Sequence, residues 1–422
     1  MQKNELTNEQ KLYKKQITKP NFIYNVLGFV WKVLFTKKYG LKYTFKKDFR
    51  KEKGPCIFIS NHQSRLDYIF CGVPLLPGRY NFVAGYNEFY RSHLKGVFSL
   101  LKVIPKKNFV PDMYTIKEVT RVLNSGGKVV LFPEGMSSIG GMNQPVAIGT
   151  GKFIKHFKVP VYYSVLKGGY LTAPKYTLDE HPGTVEAVFD QMLTPEEIDK
   201  LSPEEIEKII NEKLYHDDYA WNLEKGYKYK NNGNLAEHLE DLLFWCPKCG
   251  SEFTLKGEGN TFKCSCCGNG MTLDDTYKMT ALDDTCVIPK TQSEWFNMQR
   301  EYIKKEILKD GYSVSCNVKL GTLPNYEPLT DLKTSNITGE GVVTVDKTGL
   351  TYVGTNNGEE FTFHINSKDL PTYGMCTDVT RFYTFYKGKF MEFYPETNCV
   401  EKFFMVTEEY HRLNGGKCFN CL

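Results

Sequence analysis

The apolar run Cys56-Ile57-Phe58-Ile59 gives way at once to Asn61-His62-Gln63-Ser64-Arg65-Leu66-Asp67. A short apolar run with β-branched residues, bounded by polar ones, predicts a buried strand. The histidine and aspartate therefore fall at a strand end, where a helix begins. A neutral imidazole held there can take a proton from an incoming hydroxyl. A carboxylate on its other nitrogen fixes the tautomer and stabilises the imidazolium.

Downstream stands Phe132-Pro133-Glu134-Gly135. In this order and separation, the two blocks resemble the glycerolipid acyltransferase family, which includes lysophosphatidic acid acyltransferases. The resemblance extends over residues 50–190, with Val103-Ile104-Pro105-Lys106-Lys107 and Val159-Pro160-Val161 in place of two further family blocks. It implies an α/β fold, a sheet flanked by helices. It also implies His62 as general base, Asp67 as its orienting partner, and Glu134, with Gly135, at the acceptor site. The implied reaction moves a fatty acyl group from acyl-CoA or acyl carrier protein to a lysophospholipid hydroxyl, foremost 1-acylglycerol-3-phosphate. Attack is direct, and no competing serine or cysteine nucleophile motif is present. Two departures stand out. The family has arginine where this chain has Lys106 and Lys107, and again where it has Ser137. Arginine offers a fork matched to phosphate, lysine only a point charge. The acceptor headgroup is therefore left open between lysophosphatidate and another lysolipid or membrane acceptor, with Lys106 and Lys107 as candidate phosphate contacts.

A second signal is Cys246-Pro247-Lys248-Cys249-Gly250 followed by Cys264-Ser265-Cys266-Cys267-Gly268. Two Cys-x2-Cys turns, each followed by glycine, predict a zinc ribbon with Cys246, Cys249, Cys264 and Cys267 as ligands of a structural Zn²⁺. Phe253-Thr254-Leu255 and Asn260-Thr261-Phe262 supply a hairpin between the knuckles. Cys266 competes with Cys267, but only Cys267 keeps the knuckle spacing. The chain has 13 cysteines and no small-residue cleavage site after its first apolar segment, so a reducing compartment is expected. The terminal Cys418-Phe419-Asn420-Cys421 reads as a frayed end with incidental thiols ahead of a redox-active pair or half of a second metal site.

The net charge of +5 conceals an asymmetry: residues 1–53 hold 14 Lys or Arg against 4 Asp or Glu. Within that basic arm, residues 22–35 place Ile23, Val26, Leu27, Val30, Val33 and Leu34 at helical spacing beside Trp31 and Lys32. The segment falls short of the ~20 residues that span a bilayer. It reads as an amphipathic helix, packed on the catalytic domain, lying in a membrane interface, or both. The expected location is cytoplasmic, peripheral or monotopic on the inner face of a membrane.

The expected organisation is a basic arm over residues 1–45, an acyltransferase domain over 46–215 and a helical linker over 216–244. The ribbon follows at 245–275 and a β-rich domain at 276–422. Thr194-Pro195-Glu196-Glu197 and Ser202-Pro203-Glu204-Glu205 mark helix starts. Leu235, Leu239, Leu242 and Leu243 predict a short helix before the ribbon. Beyond about residue 335 the apolar period becomes two, with about six strands and a short final helix near Glu408–Leu413, resembling in architecture a pleckstrin-homology-like barrel. A non-enzymatic zinc-ribbon scaffold for nucleic acid or protein is the alternative. It leaves His62, Asp67 and Glu134 unexplained and puts the positive charge far in sequence from the ribbon, so no nucleic acid partner is expected.

Overall fold

The computed structural model describes residues 5–416, so Cys418 and Cys421 lie outside it. Its first sheet uses β1 (Leu41–Phe45), β2 (Cys56–Ser60), β3 (Asn81–Gly85), β4 (Ile104–Lys106), β5 (Lys128–Leu131), β6 (Val161–Lys167) and β7 (Val185–Leu193). The strand order is β1-β7-β6-β2-β5-β3-β4. Every neighbouring pair is parallel except β6 with β7. All five residues of β2 are buried, because helices cover both faces. Ile57 and Ile59 point into one core with Val119 and Val122 of helix Met113–Asn124. Cys56 and Phe58 point into the other with Ile69 and Phe70 of helix Asp67–Gly72. Alternation along one strand thus builds two cores, which is the α/β architecture expected.

The ribbon strands are β8 (Leu255–Glu258), β9 (Thr261–Cys264), β10 (Gly270–Leu273) and β11 (Met279–Ala281), in one antiparallel sheet. The segment before them corrects one expectation. Leu235, Leu239, Leu242 and Leu243 are buried, but only the 3₁₀ turn Leu239–Asp241 is helical there. His238 takes φ +66°, and a Cβ on Gly257 would lie 1.8 Å from the Ala236 carbonyl oxygen. The leucines are placed by packing against the ribbon, not by helical periodicity.

The remaining strands are β12 (Val314–Thr322), β13 (Asn336–Asp346), β14 (Gly349–Asn356), β15 (Glu359–Asn366), β16 (Gly374–Met375), β17 (Phe382–Tyr386) and β18 (Lys389–Pro395). They pair in the order β15-β14-β13-β12-β18-β17-β16. Among the described residues β15 and β16 do not pair, so the sheet is curled and open, and a closed pleckstrin-homology-like barrel is not established. The final helix is Val400–Leu413, longer than expected. Its Phe403, Phe404 and Val406 join one apolar core with Val343 and Phe382 of this sheet, Leu255 and Phe262 of the ribbon, and Met136, Ile139, Tyr170 and Tyr176 of the first sheet's loops.

The N-terminal arm also packs. The Asn8 side chain donates to the carbonyls of Pro324 and Glu327. The Ile17 N–H donates to Glu118. Leu12 packs with Tyr86, Leu329 and Phe390. The arm therefore ties the first sheet to the last.

Candidate active site

His62 follows the C-terminal end of β2, and Glu134 follows that of the adjacent parallel β5. Parallel neighbours deliver both loops to the same sheet edge, where α/β sheets place their ligands. Asn61 sets the turn: its Oδ1 accepts the Leu166 N–H at 2.7 Å and its Nδ2 donates to the Leu166 carbonyl at 2.9 Å. The amide side chain thereby continues the ladder to β6 just where the backbone leaves it.

His62 Nδ1 lies 2.9 Å from Asp67 Oδ2. An ionised carboxylate can only accept, so Nδ1 carries the proton and the neutral ring keeps Nε2 as an acceptor. The ring stacks on Phe132 at 4.4 Å between centroids and keeps 22% of its side chain exposed. Asp67 is fully buried. Burial pushes its carboxyl pKa up, opposed by bonds from His62 and from Ser64. The Ser64 N–H donates to Oδ2 at 2.9 Å and its hydroxyl to Oδ1 at 3.1 Å. Those bonds favour the carboxylate over its neutral acid.

The Glu134 carboxylate is buried and its two oxygens are both engaged. Oε1 accepts the His62 N–H at 2.7 Å, and Oε2 accepts the Gln144 N–H at 2.7 Å. Burial drives its pKa well above the ordinary carboxylate value, and the two N–H donors oppose that. The His62 carbonyl in turn accepts the Ser138 N–H at 2.7 Å. Gly135 sits between at φ +78°, and a Cβ there would come 3.1 Å from Phe109. The Phe-Pro-Glu-Gly turn and the histidine loop are thus bonded together at both backbone atoms of His62.

The structure brings His62, Asp67, Glu134 and Gly135 together and sets the two lysines apart. Lys106 ends β4, three strand spacings from β2, or about 14 Å at the usual separation. Its ammonium donates to the Lys107 carbonyl at 3.3 Å, and burial lowers its pKa, with Asp112 opposing. Lys107 donates to Glu9 at 3.1 Å and to the Gly388 carbonyl at 2.8 Å and lies over the Tyr86 ring. Its charge is committed to joining the N-terminal arm and the last sheet.

Sequence reasoning passed over Ser64, Arg65 and Lys175. Ser64 was legible, since Ser-x-x-Asp ahead of an apolar run is a helix-start pattern. Arg65 donates to the carbonyls of Thr177, Leu178 and Asp179, at 3.1, 2.6 and 2.8 Å. It fixes the segment after β6 against the histidine loop. No local pattern marks that segment, which carries Lys175.

In the ribbon, the Sγ atoms of Cys246, Cys249, Cys264 and Cys267 lie within 4.8 Å of one another. Cys246 and Cys267 are 3.7 Å apart, and Cys249 and Cys264 are 3.8 Å apart. A tetrahedron with metal–sulfur bonds of ~2.3 Å has edges of ~3.8 Å, so the four thiols can hold a metal ion. Gly250 and Gly268 take φ +73° and +75° and donate to the carbonyls of Cys246 and Cys264. The knuckles are equivalent, and Cys266, exposed beside Ser251, is outside the cluster.

None of the curated proteins matches this chain. Among solved structures, the chain is similar to the 1-acyl-sn-glycerophosphate (LPA) acyltransferase PlsC from Thermotoga maritima, with 19% identity and a TM-score of 0.39. That match covers 46% of this chain and 76% of the other. Residues 41–166, which contain the His62–Asp67 pair and the Glu134 turn, match the family model described as Acyltransferase, so the chain carries an acyltransferase domain over this segment.

Proposed function

We propose that the protein is an O-acyltransferase that moves a fatty acyl group from acyl-CoA or acyl carrier protein to the free hydroxyl of a lysophospholipid, foremost 1-acylglycerol-3-phosphate. The observation that carries this reading is the His62–Asp67 pair, oriented by three hydrogen bonds to the carboxylate, with the imidazole still partly exposed. The acceptor hydroxyl donates to Nε2 and its oxygen attacks the thioester carbonyl carbon. The hydroxyl proton passes to Nε2, the carbon–sulfur bond breaks, and the imidazolium returns the proton to the departing thiolate. Ester and thiol are the products, and no acyl-enzyme intervenes. In this scheme Glu134 acts by holding the His62 backbone, and the acceptor lies along the turn of Gly135. Lipid-extract mass spectrometry after expression tests the reading against a His62→Ala control. A lysolipid that is depleted and a diacyl product that grows only with native protein support it. Identical extracts overturn it.

The same reading gives the N-terminal helix a purpose. Helix Ile23–Lys38 turns Trp31 and Phe35 toward the core and leaves Phe22, Phe29 and Val33 at 71%, 64% and 63% exposure. Among the described residues no helix is long and apolar enough to cross a membrane. An exposed apolar stripe flanked by lysines suits the surface of an anionic leaflet, on the cytoplasmic side, from which a lysophospholipid can reach His62 without fully leaving the lipid. The four ribbon thiolates would hold one structural Zn²⁺, whose closed coordination contributes folding energy and takes no part in acyl transfer.

A further inference from the structure

Lys175 is an ammonium buried without an ion pair. Its residue is 5% exposed, and among the described residues no carboxylate lies within ion-pairing distance of its Nζ. The ammonium donates to the Ser137 hydroxyl oxygen at 3.3 Å and to the Met375 carbonyl at 3.2 Å. Burial lowers its pKa to about 8, with Cys376 and Asp378 opposing and Arg65 adding to the fall. Such a group is costly to bury, because a cation loses its hydration and its hydrogen bonds here go only to neutral acceptors, while the carboxylates of Asp378 and Glu401 act on it without direct contact. Strongly perturbed titratable groups of this kind gather at working sites.

Its position gives the cost a use. Ser137 is half-buried, and the next residue, Ser138, donates its N–H to the His62 carbonyl. Since the Ser137 oxygen accepts from Lys175, its hydroxyl proton is free to point outward. The segment bearing Lys175 is pinned by Arg65, three residues after His62. A positive charge is thereby held behind the hydroxyl of a half-buried serine on the turn bonded to the His62 loop.

We infer that Lys175, acting through the Ser137 hydroxyl, sets the affinity of this site for an acceptor carrying a phosphate monoester. This inference rests on the acyltransferase reading and names the part of the chain that selects its acceptor. Lys175 is a positioning residue: it polarises the Ser137 O–H and offsets the charge of the headgroup that the hydroxyl meets. The assignment moves the phosphate contact from Lys106 and Lys107, whose ammonium groups are engaged elsewhere.

The test uses full-length protein with two acceptors, a short-chain lysophosphatidate and a neutral monoacylglycerol. Lys175→Met keeps the length of the stem and removes the charge. The expected result is a KM for lysophosphatidate raised tenfold or more, with kcat and the KM for monoacylglycerol little changed. Lys175→Arg should keep KM within a few-fold of native. Ser137→Ala should raise KM in the same direction, and combining it with Lys175→Met should add little, because both act through one hydrogen bond. Equal changes for both acceptors, or none, would overturn the inference. Calorimetric binding of the same lysophosphatidate separates the two levels of argument. Native protein that binds it through Lys175 but transfers no acyl group leaves the inference standing and sinks the reaction. Transfer that proceeds while Lys175→Met binds as tightly as native sinks the inference alone. Native protein that neither binds nor acylates lysophosphatidate removes both.

Discussion

Glu134 holds His62 by its backbone: one carboxylate oxygen accepts the His62 N–H at 2.7 Å while the other accepts the N–H of Gln144. The residue that the family resemblance places at the acceptor thus also locks the loop carrying His62 to the turn that follows β5. Glu134→Ala would leave two part-buried N–H groups without this partner, at up to ~1–3 kcal/mol each. The expected outcome is a lower melting temperature together with a lower kcat. Thermal denaturation and turnover should fall in parallel, unlike the pattern expected when His62 itself is removed.

His62→Ala and Asp67→Asn should lower kcat by about 10²- to 10⁴-fold, the usual contribution of a positioned general base. The His62 ring is partly exposed and its partners are local, so circular dichroism and melting of His62→Ala should stay close to native. A folded His62→Ala protein with near-native turnover would falsify the assignment.

Removing the metal should damage the whole molecule rather than one end of it. Ribbon residues Leu255 and Phe262 share a core with Met136 and Tyr170 beside the active site and with Val343 of the last sheet. Native protein purified without chelator should contain one zinc per chain by elemental analysis. Cys249→Ser, or chelation, should lower the melting temperature and acyl transfer together in one cooperative transition. Two separated transitions, with activity surviving the first, would show that the ribbon unfolds on its own.

Lys175 makes stability depend on pH in an unusual direction. Its pKa falls from the ordinary 10.5 to about 8 on folding, so the unfolded chain binds more protons between those values. Stability gains from this group as pH rises through that window, while below about pH 8 the buried charge costs ~3 kcal/mol. Lys175→Met should therefore melt at a higher temperature than native protein at neutral pH, and the difference should shrink above pH 9. Urea midpoints at several pH values measure it.

Phe29→Glu and Val33→Glu replace exposed apolar side chains on helix Ile23–Lys38. Burying such a side chain in lipid contributes ~1.5–3 kcal/mol. Each change should weaken binding to anionic vesicles by roughly tenfold or more while leaving the fold intact. Vesicle co-sedimentation reads the result, and undiminished binding would place the lipid contact on another face.

The sequence by itself determined the parts whose cause is local. The apolar run at residues 56–59 is a strand wherever it is buried, and the capping boxes at Thr194 and Ser202 form as their Ser/Thr-Pro-Glu-Glu patterns require. The ribbon follows from cysteine spacing and knuckle glycines, and His62 with Asp67 from a five-residue separation that one helix start can close. Only the tertiary structure decided the rest. Lys107 reads as a phosphate contact in its block, yet its charge is taken by Glu9 and Gly388, hundreds of positions apart in the chain. The leucines at 235–243 have helical spacing and are held by ribbon packing instead. Lys175 has no motif at all, and meets Ser137 and Met375 only because β6 lies beside β2 and the last sheet closes over their loops. Spacing along a chain reports bonds made within a turn or two. Which distant segment satisfies a buried charge depends on how whole sheets pack, and no window of sequence contains that information.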